Sequence, residues 1–452
     1  NGESTTKTYA ELLTTNVVKN VTCKNGTTAN WDNTDFSIKL KNIHTPDYCT
    51  IDFTDGYIVT LTATNGSITP TSQTVGNGGT AKFTVTPNSG FKAELETNTC
   101  GGTLSGNTYT ISNITSAKSC SITFKSSIPT LLSQILKDNP TIKTRADFNT
   151  TFTETNTGTL YKATESIAGN TPKDVYYFAG DAKNNWVKFG GFYWRIIRTN
   201  HDGSIKLLYA GTSPDTTSGY IGTSSFNSTD KDPMYVGYKY GTTGSLENNR
   251  LNTNDSTIKT YIDNWYKNNL TAYTKYLSND AVYCNDRELA SGSTYSTSSS
   301  FNYASYGRLY TNKTPTYNCT NIKDAFSGSN SEAKLTYPIG LMTADEIAYA
   351  GGKAFTDLPS PYAWYYLNSA GGSITGSTPW SWYVLSPFGW TGSFSFVWGI
   401  GDPRAPGRLF DSGASGGTSV RPSVSLLSCN LISGGDGSAN NPYIVKTDGS
   451  SC

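Results

Sequence analysis

Eight cysteines, Cys23, Cys49, Cys100, Cys120, Cys284, Cys319, Cys429 and Cys452, constrain this chain more than any other feature. Their number is even and no two form a C-x-x-C motif, which weakens zinc-site and thioredoxin-type readings. A set of disulfides formed in an oxidising compartment fits better. Each cysteine has a near neighbour within a plausible module, so sequential pairing is expected (23–49, 100–120, 284–319, 429–452), one of roughly a hundred connectivities open to eight cysteines. Bridges closing loops of such sizes stabilise by ~3–4 kcal/mol, mainly through the unfolded state.

The rest of the composition points the same way. Charged residues make up 15% of the chain, against the ~25% usual in soluble proteins. Aromatics reach 13%, with 30 Tyr among them. Thr and Tyr favour strands, while Asn and Gly favour turns. A net charge of +1 creates no strong field, so nucleic acid and anionic membranes are not expected as partners. Only two histidines occur, His44 and His201, which removes the commonest general base and metal ligand. No apolar run approaches the ~20 residues of a membrane helix, so membrane insertion of this segment is not expected. The chain starts without a Met or a basic-plus-apolar leader, and a removed signal or anchor is expected.

At ~150 residues per domain, 452 residues allow two to four domains. Residues 1–55 open with a short helical stretch at 9–13, followed by alternating segments at 36–40 and 49–53; they form an expected disulfide-stapled β module. In 56–126, alternating stretches are separated by Asn65-Gly66, a hairpin signal, and by the glycine-rich turn at 76–79. Residues 127–170 look like a connector, with one or two helical turns expected at Leu131–Leu136 and ended near Asn139-Pro140. From 171 the chain becomes apolar and aromatic, with an expected hairpin joining Phe192–Arg198 to Ile205–Tyr209 through Asn200–Gly203. A helix is expected at 255–266, where Ile258, Tyr261, Ile262 and Trp265 share one face and Asp255 or Ser256 caps it. A second starts at Thr343, with Glu346 completing a capping box and Gly351 as the stop. The fold class expected is α+β, small all-β modules followed by an antiparallel sheet carrying two helices. Residues 431–452 form a tail tied down by Cys429 and Cys452.

Two stretches carry resemblances. The order of strand, glycine turn, strand, "PNSGF" at 87–91 and a closing "C-S-I-T-F" at 120–124 resembles the B-repeat of internalin-like surface proteins. That implies a β-grasp-like spacer. Downstream of "F-Y-W-R-I-I" at 192–197, the frame "W-Y-V-L-S-P" at 382–387 and "V-R-P-S-V-S-L" at 420–426 is similar to bacterial surface domains of C-type-lectin-like fold. Those are related to formylglycine-generating enzymes and to the variable proteins of diversity-generating retroelements. The resemblance covers 171–430 and implies a small sheet, two helices and a long excursion bearing the ligand surface.

Between those anchors in the variable proteins lies the diversified stretch. Here it holds Phe388, Trp390, Phe394, Phe396, Trp398, Asp402, Arg404, Arg408, Phe410 and Asp411. Large rings and Arg spaced by Gly and Ser suit a recognition surface. Because Phe394, Phe396 and Trp398 alternate, an ordinary strand could equally bury all three on one face. The calcium-and-sugar motifs of animal lectins are missing from 171–430, and the cysteines there look structural. No cofactor and no metal site is therefore expected, and the chain is not expected to be an enzyme. His201 and Asp202 sit in a turn where Asn, Asp and Gly are expected for geometry alone. Asp345 and Glu346 complement a helix start, and the loop around Asp436 lacks the ligand spacing of an EF-hand.

The expected function is that of an exported bacterial surface protein that binds or adheres through residues 388–411, a patch open to diversification. Its partner would be a protein or glycan on a host, bacterial or phage surface. A structural subunit of a surface filament or layer is the first alternative, a formylglycine-generating-type enzyme the second.

Overall fold

Period-two alternation decides the first part of the chain. On the strand Gly79–Pro87, Ala81, Phe83 and Val85 point inward and their neighbours outward, as a strand with one wet face requires. A computed structural model describes residues 16–32, 37–43, 46–88, 90–374, 381–401 and 404–449; the helical stretch expected at 9–13 lies outside them. The chain divides into two units, Asn1–Ile128 and Pro129–Cys452.

In the first unit one sheet runs in the order Asn16–Cys23, Cys49–Thr64, Lys118–Ser126, Phe91–Asn98, with Ser72–Gly76 also paired to Cys49–Thr64. Its pairing of Cys49–Thr64 with Lys118–Ser126 is parallel. The other sheet runs Gly66–Thr69, Gly79–Pro87, Thr108–Ile114, Thr103–Ser105. Val59, Leu61, Phe83, Val85, Tyr109 and Ile122 belong to one core drawn from both sheets. Asn65-Gly66 is not the expected hairpin. The strands on either side of it lie in different sheets, and Asn65 takes a left-handed φ of 63° to pass the chain between them. A Cβ on Gly66 would stand 2.4 Å from the Phe124 ring, so glycine permits the crossing.

The second unit is built on a ten-stranded sheet and a six-stranded sheet. The expected hairpin forms, with Phe192–Thr199 antiparallel to Ile205–Tyr209. Pro422–Leu426 pairs beside Ile205–Tyr209. In the six-stranded sheet Trp382–Trp390 pairs with Ser395–Ile400, which pairs with Leu409–Gly413. In the segment expected as a connector, 127–170, the helical turns expected at 131–136 form the helix Leu131–Asp138, and Thr141–Lys143 and Thr159–Glu165 join the ten-stranded sheet. The expected tail likewise adds Ile432–Gly434 and Tyr443–Val445 to the ten-stranded sheet.

The fold class departs from the α+β, C-type-lectin-like expectation. Strands hold 42% of the residues and helices 14%, spread over many small sheets. Both expected helices exist, Thr257–Asn269 capped by Ser256 and Ala344–Ala350 with the Thr343/Glu346 capping box. They are short, however, and one 13-residue and one seven-residue helix do not make a helical layer in a chain of 452 residues. Thr, Tyr and Asn drive the remainder into strands and turns.

Three disulfides join Cys23 to Cys49, Cys100 to Cys120 and Cys284 to Cys319, the pairs that neighbourhood in sequence predicts. Cys429 is also disulfide-bonded, while Cys452 lies outside the described residues. These bridges are consistent with a secreted or extracellular protein. Among the described residues no helix is long and apolar enough to cross a membrane.

Candidate functional site

The "VRP" and "LSP" anchors hold the frame from inside. Arg421 is fully buried; it donates to the carbonyls of Tyr209, Gly219 and Tyr365 at 2.7–3.2 Å and lies over the Trp382 ring. Ser386 Oγ accepts the amide of Ala344 at 3.0 Å, tying the strand Trp382–Trp390 to the helix at 344. Carbonyl partners satisfy a buried guanidinium without a carboxylate.

Between those anchors the ten expected ligand residues part company. Trp398 is fully buried and donates its indole N–H to Ser305 Oγ at 3.0 Å. Trp390 is 3% exposed. Both were expected on the ligand surface and belong to the core instead. The strand Ser395–Ile400 is covered on both faces, with Ser395, Val397 and Gly399 buried on one and Trp398 and Ile400 on the other, and alternation alone does not say how many faces stay wet. Phe388, Phe396, Arg408 and Phe410 are half-buried; Phe394, Arg404 and Asp411 are exposed. Asp402 lies outside the described residues. Phe394 sits at the turn after Trp390, with the Lys231 ammonium 3.5 Å above its ring.

What the fold assembles around Phe388 is a larger set of rings, drawn from distant segments. Phe388 meets Trp398 edge-on at 4.8 Å and Tyr306 at 5.2 Å. Tyr306 packs on Tyr310, and Tyr310 meets Phe355 edge-on at 5.4 Å. Phe355 in turn lies 5.8 Å from Trp398. Tyr310 and Phe355 are 45% and 38% exposed, so the cluster has a buried Trp floor and an open rim. Phe355 occupies the left-handed region with φ 54°. Its amide donates to the Leu409 carbonyl at 2.8 Å, laying residues 353–358 along 406–409. Asp357 and Arg408 stand there as an ion pair at 3.5 Å. Sequence reasoning missed Tyr306, Tyr310 and Phe355; the i, i+4 spacing of the two tyrosines was the available signal.

A second cluster is ionic and buried. Arg198 bridges Glu165 and Glu346, each at 2.8 Å, and Lys206 reaches Glu346 at 2.8 Å. Glu346 also accepts the Thr343 amide at 2.9 Å, closing the capping box. Burial pushes the Glu165 carboxyl up, but Arg198 and His201 outweigh it and hold it at about 2. Arg308 joins Asp345 at 2.8 Å and Asp286 at 2.5 Å. Burial lifts Asp286 to about 6 despite Arg308 beside it. The cavity bordered by these groups holds about 20 Å³, room for one water. Asp202 serves the turn, its Oδ1 accepting the Ser204 amide at 2.9 Å. Asp436 does the same for Ser438 at 2.9 Å. No group of His, Cys, Asp and Glu suited to a metal ion occurs among the described residues.

Protein-family models, curated proteins and solved structures contain no match to this chain.

Proposed function

We propose that the chain is an exported, surface-displayed binding protein, with residues 129–452 as the ligand-binding unit and the N-terminal β modules as a spacer. The observation that carries this is the ring cluster of Tyr306, Tyr310, Phe355 and Phe388 over Trp398. Contiguous exposed apolar surface marks interaction sites, and rings beside an Arg are typical energetic anchors of interfaces. Phe355 strengthens the case. A left-handed backbone costs a non-glycine residue ~1–2 kcal/mol, and strain of this kind collects where a side chain has a task. The Asp357–Arg408 pair at the same edge supplies directed hydrogen bonds.

The ligand is a protein or glycan on a host, bacterial or phage surface. Binding, not catalysis, suits the arrangement, because Asp357 and Arg408 beside the rings pair with each other and the buried Glu165, Arg198, Lys206 and Glu346 are closed in a network. The disulfides fit a site of action outside the cytoplasm.

The test is binding of the full chain to a panel of cell-surface proteins and glycans, repeated with Tyr310, Phe355 and Phe388 all changed to Ala. Affinity should fall by about a hundredfold for the triple variant and change little for Phe394→Ala. If no ligand of the panel loses affinity in the triple variant, the site is refuted.

A further inference from the structure

The excursion after Cys284 returns to the six-stranded sheet through Phe301–Asn302, which pairs with Gly389 and Trp390. Just before that return, residues 292–300 read Gly-Ser-Thr-Tyr-Ser-Thr-Ser-Ser-Ser. With Phe301, Asn302, Trp390 and Thr391 they wall a cleft of about 660 Å³.

The loop is fixed in place. Ser296 Oγ accepts the amides of Ser298 and Ser299 at 3.1 and 2.9 Å. The Tyr295 ring lies 5.5 Å from Phe301, and its hydroxyl meets the side-chain amide of Asn249 at 3.1 Å. Across from it, Gly392 has φ +88°, and a Cβ there would fall 2.8 Å from the Ser298 carbonyl oxygen. Only glycine lets the loop rest against that turn.

Among the described residues no charged side chain lines the cleft. Its walls are hydroxyls, one carboxamide and the partly exposed Tyr295 ring, backed by the buried rings of Phe301 and Trp390. The Trp390 indole N–H is buried and meets no acceptor among the described residues, a standing cost of ~1–3 kcal/mol. Hydroxyls both donate and accept, so a hydroxyl-rich wall matches a ligand bearing many hydroxyls. The partly exposed Tyr295 ring matches the apolar C–H face that a sugar presents. A peptide laid in such a cleft would ask for apolar side-chain pockets, which the Ser and Thr wall lacks. The volume falls within the ~300–1,000 Å³ usual for small-ligand sites.

We infer that this cleft is a binding site for a neutral oligosaccharide, separate from the ring cluster around Phe355. The full chain is applied to an array of neutral hexose and N-acetylhexosamine trisaccharides, their sialylated and sulfated forms, and unglycosylated peptides. Neutral members should bind. Ser299→Trp, at an exposed rim position, should weaken them at least about tenfold with the thermal midpoint unchanged, and Phe355→Ala should leave them bound. Thr294→Trp blocks the opposite part of the loop and serves if the first variant fails to fold. The inference is overturned if no neutral saccharide binds, if charged sugars or peptides are preferred, or if a folded blocking variant binds like the unchanged chain.

Discussion

The two units bury different things. The core of residues 1–128 is Val, Ile, Leu, Ala and aromatic rings closed by Cys120, and no charged side chain is buried there among the described residues. Residues 129–452 enclose a far larger apolar core and still bury Arg195, Arg198, Lys206, Arg287, Arg421, Glu165 and Glu346. The contrast follows from size. A small unit hides a smaller share of its surface and leans on a cross-link; a large one tolerates desolvated charges as long as each is matched. Buried ion pairs contribute little net stability, yet a half-broken pair is severely destabilising. Both units carry disulfides and should respond to reduction, but only the second should respond to loss of single buried charges.

Arg198→Met is expected to have the largest effect, since it strands Glu165 and part of Glu346. It should lower the stability of the second unit by ~3–5 kcal/mol. In a denaturant titration of the full chain the transition of residues 1–128 should stay in place. If both transitions move together, the units do not unfold independently and the contrast fails. Changing Cys100 and Cys120 to Ser opens a 20-residue span and should remove ~3 kcal/mol, this time from the first unit alone.

Acid sharpens the contrast through two carboxyls of opposite sign. Glu165 is held below its ordinary value, so its contribution is present above about pH 4.5 and is lost as pH falls toward 2. Asp286 is held above its ordinary value, so its penalty is full above pH 6 and is relieved as pH falls from 6 toward 3.8. The thermal midpoint of the second unit should rise as pH falls from 6, peak at about pH 4 and fall toward pH 2, each limb being worth ~1–3 kcal/mol. Asp286→Asn should flatten the upper limb only; an unchanged profile would deny the assignment. The smallest stability effect is expected at the rim of the ring cluster. Phe355→Asn relieves a left-handed backbone while losing partly exposed ring contacts, for a net change within ~1 kcal/mol. Ligand affinity should nevertheless drop about tenfold. A large stability loss without any change in binding would make Phe355 a core residue and not a contact.

Local signals in the sequence were read where one short segment decides the outcome. The capping of Thr257–Asn269 by Ser256 and the Thr343/Glu346 box need only a handful of neighbouring residues, as does the Asn200–Ser204 turn. The three disulfides were legible because each joins cysteines close in sequence. Asn65-Gly66 was misread because the same dipeptide serves a hairpin or a change of sheet, and only strands far away choose between them. Trp390 and Trp398 were expected outside because period two does not tell a strand with one wet face from one covered on both, as Trp382–Trp390 and Ser395–Ile400 are. The ring cluster was invisible because residues 306, 310, 355 and 388 meet only after the sheet has formed. Arg421 and Arg198 hid their roles as well: a cation in a strand, or just before one, reads as solvent-facing until carbonyls or carboxylates converge on it.

The cystines also set how the chain answers a pull. They enclose spans of 26, 20 and 35 residues, and an extended residue covers about 3.5 Å. Under tension each span stays locked out of the extension, the longest withholding roughly 120 Å of contour. A tether made from this chain would thus stretch less far, and recoil with less slack to gather, than its residue count implies.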